Sequence, residues 1–226
     1  MTGGRAGTGG RAGTVRTLTR VSAPPLVPEV SLRLADEPFA TWEATQRDQA
    51  GTDQAAPDLP PPFWAFAWAG GQALARYVLD HPSAVAGRRV LDLASGSGLV
   101  AISAALAGAR SVTACDIDPL AATAIGLNAT LNRVRVDVLT DDVLGCDLDE
   151  VDVILAGDVC YDADLAGSMM AFLRRQRRRG VDVLIGDPLR PYLPGGLTVL
   201  ARYEVRGTAN LEERAVTAAA VFAIPV

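Results

Sequence analysis

The stretch Val90-Leu91-Asp92-Leu93-Ala94-Ser95-Gly96-Ser97-Gly98 decides how the rest of this chain reads. An apolar run of strand length enters a turn with two glycines, and the Ala- and Leu-rich segment from Leu99 to Ala107 follows with helical composition. Glycine at 96 and 98 lets backbone approach a bound molecule with no Cβ in the way, and a helix N-terminus just after it offers unpaired N–H donors. The same alternation continues outward. Arg89–Leu93, Ser111–Asp116, Val134–Leu139, Asp152–Gly157 and Val181–Ile185 read as strands, and Leu99–Ala107, Leu120–Leu131 and Asp164–Arg179 as helices between them. Leu197–Arg206 and Arg214–Ile224 read as two further strands joined by a polar loop around Asn210. This predicts an α/β, Rossmann-like fold: a seven-stranded, mostly parallel sheet with helices on both faces and a C-terminal antiparallel hairpin.

The flanking sequence differs in character. Gly3-Gly4-Arg5-Ala6-Gly7-Thr8 nearly repeats as Gly9-Gly10-Arg11-Ala12-Gly13-Thr14, so residues 1–26 are expected to be a disordered basic tail. Residues 27–62 are expected to be an extension and linker, with a short strand over Val27–Leu34 and a Pro-rich stretch from Gln46 to Pro62. Residues 63–226 form the expected catalytic domain, in keeping with a length of 226 residues.

Composition narrows the function classes. With 49% hydrophobic and 21% charged residues the chain is globular, and it has neither a long apolar span nor an export signal, which argues against a membrane. Residues 1–28 carry four Arg and no acid, whereas the remainder carries 17 Arg against 26 Asp and Glu. An acidic body lacks the basic stripe that phosphate neutralisation requires, so no nucleic-acid partner is expected. Cys115, Cys146 and Cys160 form no C-x-x-C pair, so no metal site is expected and a reducing cytoplasm fits. All basic residues other than His81 are Arg, and the chain contains no lysine.

Gly96, Gly98 and Ala101 satisfy a dinucleotide fingerprint, with Asp116 twenty residues after Gly96 as the ribose acid. Asp92 weighs against a pyrophosphate at the same turn and favours the cationic sulfonium and ammonium of S-adenosylmethionine by charge complementarity. Asp116 closes the second strand of the alternating unit and suits both ribose hydroxyls; Asp118, before Pro119, reads as a helix N-cap. Asp142 is the candidate acceptor for the adenine amino group. At the end of the fourth such strand, Asp158 is placed to hold an incoming amine, and Tyr161 to wall or align it. Cys160 has no basic partner in the sequence, and His81 reads as the end of a helix.

From about Val27 to the C-terminus the chain resembles class I S-adenosylmethionine-dependent methyltransferases, and more narrowly the lysine methyltransferases of the electron transfer flavoprotein β subunit. Three segments carry the resemblance: residues 63–77, Gly157-Asp158-Val159-Cys160-Tyr161-Asp162, and Ile185-Gly186-Asp187-Pro188-Leu189-Arg190-Pro191. In the second, Cys160 stands where the family pattern has an aromatic residue. The resemblance implies a first segment lying over the donor, with Trp64, Trp68 and Gly70 as donor-site residues. It also implies transfer of a methyl group from S-adenosylmethionine to a lysine of a partner protein, the flavoprotein β subunit being suspected. Two alternatives stay open: an N-methyltransferase for a small amine such as nicotinamide, and an NAD-binding Rossmann protein.

Overall fold

A computed structural model describes residues 7–36, 61–206 and 216–225. The helices are α1 (Gly7–Leu18), α2 (Ala69–Asp80), α3 (Leu99–Leu106), α4 (Pro119–Leu131) and α5 (Ala163–Arg178). The strands are β1 (Arg20–Ser22), β2 (Leu32–Leu34), β3 (Arg89–Leu93), β4 (Ser111–Cys115), β5 (Asp137–Leu139), β6 (Val153–Gly157), β7 (Asp182–Asp187), β8 (Thr198–Arg206) and β9 (Val216–Ala223). Seven of these form one sheet in the order β5-β4-β3-β6-β7-β9-β8, parallel from β5 to β7 and antiparallel at β9 and β8. The predicted class and terminal hairpin are therefore present, and the polar loop around Asn210 lies outside the described residues. No helix among the described residues is long and apolar enough to cross a membrane.

Strand residues alternate between two cores. Val90, Val153, Leu155, Leu184 and Val221 pack on the face of α2 and α3, while Leu91, Ile154, Ile185 and Phe222 pack on the face of α5. Burial on both faces explains why β3 and β6 are almost continuously apolar. The chain runs outward from β3 through β4 to β5, then crosses back to β6 beside β3. The carboxyl ends of β3 and β6 thus flank a topological switch point, where open α/β sheets bind ligands.

Three expectations are corrected. The segment expected to be a disordered tail contains α1 and β1; Val15 of α1 is fully buried with Trp64, Leu120 and Ala124, so tertiary burial offsets a composition rich in glycine. The strand expected over Val27–Leu34 is confined to Leu32–Leu34 and pairs with β1 in a separate ribbon. Before it the chain turns, with the Val27 amide donating to the Pro24 carbonyl at 3.0 Å and the Val30 amide to that of Val27 at 3.2 Å. Likewise β5 starts only at Asp137, because the Val134 amide is taken by the Ala129 carbonyl at the end of α4.

One close approach positions the site. The first turn of α2 lies on β6 and β7 at Gly70, Gly71, Gly157 and Gly186: a Cβ on Gly157 would sit 2.9 Å from the Gly71 Cα, and one on Gly186 would overlap the Gly70 carbonyl oxygen. Gly186→Ala should lower stability by about 1–3 kcal/mol, the usual cost of overpacking a rigid contact. Gly126→Ala, on the exposed face of α4 with nothing within 4 Å of the new Cβ, should instead raise it by about 0.5–1 kcal/mol. Denaturant midpoints of the two variants check both signs.

Candidate functional site

Asp92 lies near the end of β3, 1% exposed, with its side chain on the side of α3. Gly98, the residue that caps α3, is left-handed (φ 82°) and supplies no side-chain oxygen to the helix N-terminus. Asp92 supplies it from a distance: its Oδ2 accepts from the Ala101 amide at 3.0 Å and from the Ser95 hydroxyl. The buried Asn128 of α4 holds the other side of the turn, donating to the Ser97 carbonyl at 2.8 Å while its Oδ1 accepts from the Arg33 amide at 2.8 Å. Burial pushes the Asp92 carboxyl up to about 7. The structure gives Asp92, expected to complement a cationic donor, contacts that tie the glycine turn to α3.

Asp116 follows β4. Its Oδ2 accepts from the Gly96 amide at 2.8 Å and its Oδ1 from the Asp118 amide at 3.0 Å, so the second strand end is stitched to the glycine turn. Desolvation raises its pKa and the two amides oppose the shift. Asp118 is the N-cap of α4 as read from sequence, accepting from the Leu120 amide at 2.7 Å with Pro119 after it. Asp142 lies in the loop beyond β5, where its Oδ1 accepts from the Leu144 amide at 2.9 Å.

Asp158 follows β6 with a left-handed backbone (φ 59°) and a buried side chain. The N-cap of α2, Trp68, offers no side-chain acceptor. Asp158 takes that role from the sheet, its Oδ2 accepting from the Gly71 amide at 2.5 Å. Its Oδ1 accepts from Arg190 Nη1 at 2.6 Å. Burial raises the Asp158 pKa, and Arg190 together with the Gly70 and Gly71 amides pulls it back.

These groups meet around one cavity of about 440 Å³ at the switch point, within the range of small-molecule sites. Asp92, Gly96, Asp116, Asp142, Asp158, Tyr161, Trp64 and Trp68 all line it. Tyr161 is no core aromatic; it is 48% exposed and tilts against the ring of Phe63 at 5.2 Å. Trp68 donates from Nε1 to the Phe63 carbonyl at 2.9 Å, whereas the Trp64 indole is buried and its Nε1 has no partner among the described residues. Two expected residues stand back from the wall. Gly70 packs under the site against Gly186 and Asp158, where space and not ligand contact excludes a side chain. Gly98 contributes its left-handed turn, and a Cβ there would sit 3.3 Å from Ile125 Cγ1. Cys160 is buried and its thiol is pushed up to about 11, so it stays protonated. His81 caps α2 and stacks on Tyr77.

Sequence reasoning left Asn128 out of the site and gave Phe63 and Arg190 only as members of the segments that carry the family resemblance. For Arg190 a signal existed in the lone cation three residues after Asp187, an acid ending a buried strand. For Asn128 there was none, since nothing local to a helix marks a contact 31 residues away.

Asp92 carries a pH signature. Its folded-state value lies above the unfolded one of about 3.9, so between the two the native state holds a proton that the unfolded chain has lost. Its contribution to stability is complete below about pH 4 and falls as pH climbs towards 7, with a slope of up to about 1.4 kcal/mol per pH unit. Asp116, Asp118, Asp158 and Asp187 shift in the same direction, so the comparison with Asp92→Asn isolates the one group. Urea titrations across pH 4–7 should show a shallower decline for that variant; a constant gap between the two proteins would mean that Asp92 does not titrate in this window.

Comparison with known proteins agrees with this geometry. Residues 73–160 match the family described as ribosomal protein L11 methyltransferase (PrmA). The chain is 39% identical over 209 residues to the electron transfer flavoprotein beta subunit lysine methyltransferase of Danio rerio, covering 89% of this chain and 78% of that one. It is 40% identical over 207 residues to the Mus musculus protein of the same name, covering 87% and 77%. Among solved structures, TrmN from Thermus thermophilus superposes with a TM-score of 0.50 at 26% identity, over 67% of this chain and 48% of that one. With its fold, its switch-point cavity and this identity over most of its length, the chain belongs to the family of electron transfer flavoprotein beta subunit lysine methyltransferases.

Proposed function

We propose that this protein transfers methyl groups from S-adenosylmethionine to a lysine of the electron transfer flavoprotein β subunit, with residues 63–226 as the catalytic unit and a reducing, cytoplasmic setting for its three free thiols. The observation that carries the reading is one cavity lined by an acid from each of two strand ends, Asp116 and Asp158. The partner is taken from the relatives' name.

The residues present fit the donor. Asp116 accepts one amide on each oxygen, and a carboxylate has about four acceptor sites, which leaves capacity for a ribose diol. Asp142 lines the same cavity as Gly96 and has acceptor capacity for an adenine amino group. Trp64, Trp68 and Phe63 supply apolar walls that exclude water. The donor supplies a sulfonium-activated methyl group: as it is transferred, an N–C bond forms, the S–C bond breaks with its electron pair going to sulfur, and the amine gives up one proton.

The chain's own residues prepare the amine. Lysine is charged at neutral pH, with a pKa near ~10.4, and must lose a proton before its lone pair attacks. Asp158 attracts the ammonium and orients it, Tyr161 and Phe63 desolvate it, and solvent at the cavity mouth takes the proton. Holding nucleophile and methyl group in line provides much of the acceleration.

Donor binding is testable alone. Calorimetry should show S-adenosylmethionine or S-adenosylhomocysteine binding more tightly than NAD, and Asp116→Ala should weaken that binding by about 1–3 kcal/mol, the scale of lost charge-assisted hydrogen bonds. An unchanged affinity would remove Asp116 from the donor site. The acceptor is tested by incubating the enzyme with labelled donor and purified flavoprotein β subunit. The partner should gain mass in steps of one methyl, while the enzyme, having no lysine, gains no methyl-lysine. Labelling of nicotinamide with none on protein would favour the small-amine reading instead.

A further inference from the structure

The cavity wall carries six aspartates and, among the described residues, a single cation, Arg190. That cation does not face the cavity freely. Its Nη1 lies 2.6 Å from Oδ1 of Asp158 and 3.4 Å from Oδ2 of Asp187, so one nitrogen bridges carboxylates from the ends of neighbouring strands. The Arg190 amide also donates to Asp187 Oδ1 at 2.7 Å, and the residue before it, Leu189, takes a left-handed conformation (φ 66°) to bring this about. A non-glycine residue held in that region indicates that the surrounding contacts dictate the turn. Asp187 is fully buried and Asp158 nearly so.

We propose that Arg190 is the positioning residue of the acceptor site, bridging Asp187 and Asp158 so that Asp158 stays aimed and ionised, with one net negative charge left at the cavity wall for a cationic amine. The proposal rests on the reading of Asp158 as the group that receives the lysine. Its physics is simple. Two buried carboxylates close together lose hydration and repel each other, and with no cation between them one takes up a proton. A protonated Asp158 offers an ammonium no charge. Arginine suits the place because its guanidinium keeps its proton and reaches two acceptors from one planar group. It acts through Asp158, since a permanently charged guanidinium neither accepts the amine's proton nor attracts an ammonium. The charged and titratable groups around Asp158 are Arg190 and Asp187, the buried Cys160 thiol, and the Tyr161 hydroxyl, which also feels Asp116 and Asp162. Both thiol and phenol are pushed upward and stay neutral, so Arg190 and Asp187 set the charge that Asp158 experiences.

Carbon-13 NMR titration of the aspartate carboxyl groups tests this in the full chain without any acceptor. In Arg190→Gln the Asp158 midpoint should rise by about one pH unit or more, whereas Arg190→Lys should stay within about half a unit of the parent. Asp187→Asn, which removes the repelling partner, should lower it. With flavoprotein β subunit as acceptor, Arg190→Gln should reduce kcat roughly tenfold or more at neutral pH and regain activity as pH rises, with the donor KM within about twofold of the parent. An unmoved Asp158 midpoint in Arg190→Gln overturns the proposal, as does a uniform loss of activity with the parent pH profile. If Arg190→Gln does not fold, Asp187→Asn decides: an unchanged or higher midpoint overturns it. Shifted titrations with no methyl on the flavoprotein would instead sink the proposed acceptor and leave the role of Arg190 standing.

Discussion

The Asp158 carboxylate accepts from the Gly71 amide with one oxygen and from Arg190 with the other, and the carboxyl edge of the sheet is assembled around this pair of bonds. The first bond replaces a missing local cap on α2, so the helix N-terminus is anchored to β6 rather than to its own preceding residue. The second draws in the loop after β7. Both need α2 to lie on the strands at near-contact distance, which only glycine at 70, 157 and 186 permits. The glycines are therefore as much a part of the site as the acid they admit.

Across the switch point the same device recurs. Asp92 reaches from β3 to the first turn of α3, whose Gly98 cap has no side chain, and Asp116 reaches from β4 to the Gly96 amide. Each strand thus ends in an acid that satisfies backbone amides of a neighbouring element. Helix N-termini favour negative charge, which partly offsets the desolvation of burying these carboxylates. The outcome is an acid-lined cavity whose glycine turn and β6–β7 edge are held by one kind of interaction.

The electrostatics differ between the two halves. Around the glycine turn Asp92 and Asp116 are countered by backbone amides and the Ser95 hydroxyl, and Asp92 is pushed up to about 7. At the edge formed by β6 and β7 Arg190 adds a full positive charge between Asp158 and Asp187. In the proposed reaction the first half would offer acceptors to hydroxyl and amino groups, and the second would hold a cation that then loses a proton.

The sequence by itself determined the sheet, the helices on both faces, the terminal hairpin and the strand ends bearing Asp92, Asp116 and Asp158, because apolar runs, glycine turns and acids at strand ends are local patterns. It also marked Asp118 as a helix cap, since Asp before Pro119 is a local signal. Tertiary structure alone decided what those acids touch. That Gly70 serves packing, that Asp92 ties a turn, that Arg190 bridges two strands and that α1 is ordered all rest on contacts between residues distant in the chain. Composition misjudged the N-terminal segment for the same reason. A glycine-rich helix has too little local stability to be read from its own residues, and its order comes from Val15 entering a core built by α4 and Trp64.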